Sequence, residues 1–91
     1  MIQFKSLMRR ADTLRRAESD PARDAWWTGY IRGLRRAHHG DRFGTEAEHE
    51  MWIGTIDSPD PQRNALGLGY RAGLSMEFKS PPGTATDSNN R

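Results

Sequence analysis

The sequence predicts an all-α protein: a four-helix bundle with a pseudo-twofold repeat of a glycine-seamed helix, followed by a disordered C-terminal tail. Three observations carry this. Apolar residues recur at helical spacing from Phe4 onward, and helix-start signals stand at Asp20-Pro21, Thr45 and Asp60-Pro61. Strand formers are scarce, with no valine and with isoleucine only at positions 2, 31, 53 and 56.

The first helix is read from Phe4, Leu7, Met8, Ala11 and Leu14, which fall on one face, while Lys5, Arg9, Asp12 and Arg16 take the other. A second starts at Ser19-Asp20-Pro21, where a capping carboxylate precedes a proline whose missing N–H is no loss in the first turn. It runs to about His39, and Gly40 ends it. Thr45 with Glu48 three positions on makes a capping box, opening a third helix to about Ile56. Asp60-Pro61 repeats the earlier start, and the fourth helix is expected to reach about Met76. Residues 1–78 therefore form one domain, and residues 79–91, rich in Ser, Pro, Thr and Asn, have almost nothing to bury and are expected to be disordered.

Sliding the chain by forty positions superposes Asp20-Pro21-Ala22-Arg23 on Asp60-Pro61-Gln62-Arg63. The same shift places Ala25, Gly29, Tyr30, Gly33 and Leu34 on Ala65, Gly69, Tyr70, Gly73 and Leu74. This is a duplicated helix, with repeat units of about 4–40 and 43–76 that Phe4 and Phe43 open. Ala25, Gly29 and Gly33, and likewise Ala65, Gly69 and Gly73, are four apart and stack on one helix face. Glycine inside a helix costs about 1 kcal/mol relative to alanine, so both ladders need an offset, and close approach of the second helix to the fourth supplies one.

The net charge of +2 conceals a segregation. Residues 1–39 carry nine basic and four acidic side chains, a net of +5, and residues 40–60 carry one basic and six acidic, a net of −5. Arg9, Arg16, Arg32, Arg35 and Arg36 fall on the polar sides of the first two helices and are expected to be exposed. Trp26, Trp27 and Trp52 are a large aromatic load. Trp26 and Trp27 differ by about 100° round their helix, so one can enter the core while the other reaches its edge as a partner anchor. These arginines and tryptophans are the expected partner-binding residues.

No catalytic constellation is present, and no enzyme activity is expected. His38, His39 and His49 lie near Asp41, Glu46, Glu48 and Glu50, but without a metal-ligand spacing, so the expectation is helix-end histidines with no metal and no cofactor. The absence of cysteine excludes disulfides and thiolate sites. No apolar run is long enough for a membrane span, and the charged N-terminal stretch does not read as a secretory signal, so a cytoplasmic protein is expected.

The words Trp26-x-x-Gly29-Tyr30-x-x-Gly33 and Gly69-Tyr70-Arg71-Ala72-Gly73-Leu74 resemble those of the ribosome modulation factor family, although Tyr30 stands where that family has a second tryptophan and the Trp word comes first here. The resemblance implies a glycine-seamed helix pair and binding to ribosomal RNA. In its small size and lack of cysteine the chain also has a general likeness to accessory proteins of phages and mobile elements, including anti-CRISPR inhibitors, a class without a shared motif. The expected function is a non-catalytic inhibitor or regulator that docks on a protein or nucleoprotein complex, with no small-molecule substrate and no membrane partner. The alternatives are a ribosome-silencing factor that contacts RNA and a DNA-binding regulator.

Overall fold

A computed structural model describes residues 3–82; the expected disorder of residues 83–91 falls outside them. The protein is all-α, with helices α1 (Gln3–Ala17), α2 (Pro21–His39), α3 (Glu46–Gly54) and α4 (Pro61–Leu74) and no strand among the described residues. Short 3-10 turns at Gly40–Arg42 and Thr55–Asp57 follow α2 and α3.

The helix starts follow from side-chain capping. Asp20 and Asp60 adopt nearly the same extended backbone, and each carboxylate accepts the N–H three residues on, from Arg23 and Arg63, at 2.9 Å. At α3 the capping box is closed in both directions: Thr45 Oγ1 accepts from Glu48 N–H at 3.2 Å, and Glu48 Oε1 accepts from Thr45 N–H at 3.0 Å. Each such cap is worth about 1 kcal/mol.

Two helix ends come earlier than their periodicity suggests, each for a tertiary reason. α3 stops at Gly54 instead of Ile56, and the Thr55 hydroxyl donates to the Trp52 carbonyl at 2.7 Å as the chain tightens into its 3-10 turn. That turn lies directly on Gly67, where a Cβ would strike Thr55 Oγ1 and come within 2.6 Å of Ile56 N. α4 stops at Leu74 instead of Met76, which takes a left-handed φ of 59°. The reversal frees the Glu77 carbonyl to accept from the buried Tyr30 hydroxyl at 2.5 Å.

The principal contact of the fold is α2 against α4, made by backbone. A Cβ on Gly29 would fall on the Leu66 carbonyl oxygen and 2.9 Å from Tyr70 N; one on Gly69 would fall on the Trp26 carbonyl oxygen and 3.0 Å from Tyr30 N. Gly33 faces the Tyr70 carbonyl and Gly73 the Tyr30 carbonyl, with each built Cβ about 3 Å from the other glycine's Cα. Contacts thus pair each residue with positions close to forty further on, so the two helices run in the same direction about a pseudo-twofold axis. The hydrogens that replace these Cβ atoms point at carbonyl oxygens, weak contacts worth about 0.5–1 kcal/mol each. Ala25 and Ala65, the first rungs of the two ladders, are half-buried.

The core lies beside this seam. Trp26 stacks on Tyr30 with ring centroids 5.3 Å apart, Trp27 meets both edge-on, and Leu34, Leu7 and Ala11 complete the cluster. Trp26 and Trp27 are 4% and 3% exposed, which overturns the expectation that either serves as a partner anchor. The reason is the C-terminal segment 75–82, which covers the edge that periodicity leaves open. Phe78 packs on Trp27 with Arg10 3.7 Å above its ring, and Gln3 donates to the Met76 carbonyl at 2.9 Å. Pro81 is buried, so the expected disorder from residue 79 is corrected there, while Lys79, Ser80 and Pro82 beside it are exposed. Leu14, placed on the core face of α1 by its spacing, is 38% exposed.

Two expected outcomes test this packing. Gly29→Ala, Gly33→Ala, Gly69→Ala and Gly73→Ala should each destabilise by about 1–3 kcal/mol in thermal or urea melts, although alanine is the better helix former, because backbone must move apart. Gly54→Ala, where a Cβ meets nothing within 4 Å, should be neutral or mildly stabilising. Glu18 accepts from Arg23 Nε at 3.1 Å and from Asp20 N–H at 2.9 Å, and the Arg23 hydrogen bond chiefly holds its carboxyl below the ordinary 4.5. Its contribution is complete above pH 4.5 and is lost as pH falls through the lowered value, so Glu18→Gln should make the acid limb of the stability curve shallower.

Candidate functional site

On α2 the residues Thr28, Arg32 and Arg35 fall at i, i+4 and i+7, a stripe flanking the glycine seam. The turn after α2 brings Phe43 over this stripe, and α3 brings Trp52; α1 contributes Asp12 and Arg15. Together with Ile31 they line an open cleft of about 400 Å³.

Its centre is a run of cation–ring and ring–ring contacts. The Arg32 guanidinium carbon stands 4.8 Å from the Trp52 ring centroid and 4.9 Å from that of Phe43, and the Arg35 guanidinium is 6.0 Å from Phe43. Trp52 stacks in turn on Tyr70, with centroids 5.6 Å apart and planes at 24°. Tyr70 is 2% exposed, and its hydroxyl lies 2.8 Å from His49 Nδ1. Burial pushes the Tyr70 phenol up, against the pull of the Arg36 and Arg32 cations, so it remains a neutral hydrogen-bonding group at neutral pH. The cleft is therefore anchored through Tyr70 to the seam itself.

The arginines differ sharply in what they meet. Arg16 and Arg15 pair with Asp12 at 3.0 and 3.7 Å, Arg15 reaches Asp24 at 4.0 Å, and Arg36 meets Glu46 at 3.4 Å. Among the described residues no carboxylate lies within 4 Å of a side-chain nitrogen of Arg32 or Arg35. A guanidinium whose face is covered by aromatic rings still presents its N–H edge, the geometry that takes a carboxylate or phosphate in two parallel hydrogen bonds.

Comparison with protein-family models, curated proteins and solved structures finds no match to this chain.

Of the residues expected to bind a partner, Arg32, Arg35 and Trp52 come together in the cleft. The others do not. Trp26 and Trp27 are core, and Arg36, expected to be exposed, has a side chain only 14% exposed because the turn and α3 close over it, with Gly44 against its stem. Arg9 lines a shallow surface on α1, and Arg16 is exposed but bound up with Asp12. Phe43, Ile31, Thr28 and Arg15 also line the cleft, and no motif or spacing in the sequence marks them as binding residues. Phe43 marked only the opening of a repeat, and nothing local shows that a ring there will meet two arginines. His38 stacks on Phe4 at 4.0 Å, and no group of three or more His, Asp or Glu converges among the described residues.

Trp52 is the half-exposed indole, so acrylamide should quench one emission component that disappears in Trp52→Phe. Quenchable emission that survives this change would contradict the burial of Trp26 and Trp27. Arg32→Gln and Arg35→Gln should each lower stability by no more than about 1 kcal/mol, the scale of a partly exposed cation–π contact, as a circular-dichroism melt would record.

Proposed function

We propose that this chain is a non-catalytic inhibitor or regulator that docks on a protein or nucleoprotein complex in the cytoplasm. One observation supports the reading above the rest: Arg32 is held between Trp52 and Phe43, with Arg35 beside it, and neither has an acidic partner among the described residues. Arginine and tryptophan in a preformed concavity are the residues that dominate binding energy at interfaces. Nearby on α3, Met51 is 59% exposed, an apolar side chain suited to the rim of such a contact. The Thr28 hydroxyl donates to the Asp24 carbonyl at 3.0 Å, so the cleft's one hydroxyl is engaged structurally. The lack of cysteine fits a reducing compartment, and among the described residues no helix is long and apolar enough to cross a membrane.

The test is affinity capture from the native cell with and without nuclease. A protein complex should survive nuclease and be lost on Trp52→Ala, with dissociation accelerated by about tenfold or more, the scale of a modest hot spot. Recovery of nucleic acid alone, abolished by nuclease, would reject docking on a protein in favour of direct RNA or DNA binding.

A further inference from the structure

We infer that the cleft takes an extended acidic segment of a partner protein, with glutamate or aspartate carboxylates on Arg32 and Arg35 and an apolar side chain against Ile31 and Phe43. The inference rests on the docking function proposed above and names the chemistry of what docks.

The first observation is internal to the fold. The pseudo-twofold that carries Gly29 onto Gly69 also carries Thr28 and Arg32 onto Leu68 and Ala72. Those two residues line open grooves of about 250 and 290 Å³ whose other wall is the chain's own C-terminal segment, Lys79, Ser80, Pro81 and Pro82, a stretch without helix or strand. One half of the duplicated pair thus already has a non-helical segment of the chain beside the related groove. In the other half Leu68, Arg71 and Ala72 are replaced by Thr28, Ile31 and Arg32. The exchange moves the cationic position from Arg71 to Arg32, beside the Phe43 and Trp52 rings, where its guanidinium lines the open cleft.

The second observation is charge. Among the described residues two guanidiniums without an acidic partner line the cleft, Asp12 and Arg15 stand in its wall as an ion pair, and the exposed Glu46, Glu48 and Glu50 lie on adjoining α3. A nucleic-acid strand carries a phosphate at every nucleotide, so a strand threading the cleft would bring charge past these carboxylates as well as onto the arginines. A peptide places carboxylates only where arginines meet them and leaves uncharged residues elsewhere. Like-charge juxtaposition therefore selects against a uniform polyanion and not against an acidic peptide. A cleft of about 400 Å³ is also on the scale of a few side chains, within the roughly 300–1,000 Å³ of ordinary ligand sites.

The experiment is a nuclear magnetic resonance titration of the full chain, following the arginine Nε–H and tryptophan indole N–H signals. The probes are a capped pentapeptide, Ala-Glu-Leu-Glu-Ala, its glutamine counterpart, hexauridylate and inorganic phosphate. The glutamate peptide should shift Arg32, Arg35 and Trp52 saturably, and the glutamine peptide should need about tenfold more or greater, the scale of one charge-assisted hydrogen bond. The Arg32→Gln/Arg35→Gln double variant should lose the peptide while remaining folded, with a cooperative circular-dichroism melt that starts above the titration temperature. Three results would overturn the inference: hexauridylate saturating the same signals at lower concentration, phosphate matching the peptide at equal concentration, or peptide shifts absent from the cleft. A captured protein complex that survives nuclease and needs Trp52, but is indifferent to Arg32 and Arg35, would also overturn it while leaving the docking function standing.

Discussion

Four glycines set against backbone carbonyls hold this protein together. Gly29, Gly33, Gly69 and Gly73 let α2 and α4 meet backbone to backbone, so their larger side chains are turned outward to either side. Each glycine gives up about 1 kcal/mol of helix propensity, and the offset comes from the Cα–H contacts and from the aromatic burial that the close pair makes possible. Tyr30 and Tyr70, at 0% and 2% exposed, flank the seam on its two sides. Each is a large ring with a hydroxyl that must be satisfied, and each finds a different partner: the Glu77 carbonyl for Tyr30 and His49 for Tyr70.

That difference marks where the two halves of the duplication have parted. Their starts are still alike, with Asp20 and Asp60 capping through the same geometry. Beyond the seam, Trp27 fills the space that on the other side is occupied by the turn lying on Gly67. Thr28 and Arg32 stand where the second half has Leu68 and Ala72. The groove at Leu68 and Ala72 is bordered by the chain's own C-terminal segment, and the one at Thr28 and Arg32 by Phe43 and Trp52. A near-symmetric scaffold therefore presents two differently bordered grooves.

The arginine count matters less for the chemistry of the open groove than the distribution of acids among those arginines. Arg15, Arg16 and Arg36 all have carboxylates within 4 Å, and the more exposed pairs, those of Arg15 and Arg16 with Asp12, contribute little to stability. Arg32 and Arg35 instead lie over aromatic rings, contacts that consume no hydrogen-bond donor. Because Trp52 rests on Tyr70 and Tyr70 on the seam, the site inherits the rigidity of the helix pair.

Much of the architecture is local and so was legible in the sequence. Capping at Asp20, Thr45 and Asp60 acts within four residues, and the four-residue spacing of the glycines already places them on one face of each repeated helix. Other features depend on residues distant in the chain. The early end of α4 needs the Tyr30 hydroxyl, the burial of both Trp26 and Trp27 needs Phe78 and Pro81, and the cleft needs Phe43 and Trp52 to arrive over Arg32. The net charge of residues 1–39 identified a basic half but not which arginines remain unpaired, since periodicity assigns a residue to a helix face and says nothing of what a neighbouring element lays upon it. Short-range hydrogen bonds and spacing decided the helices and their seam; the pairing of charges and the covering of aromatic edges are long-range, and only the packed structure decided them.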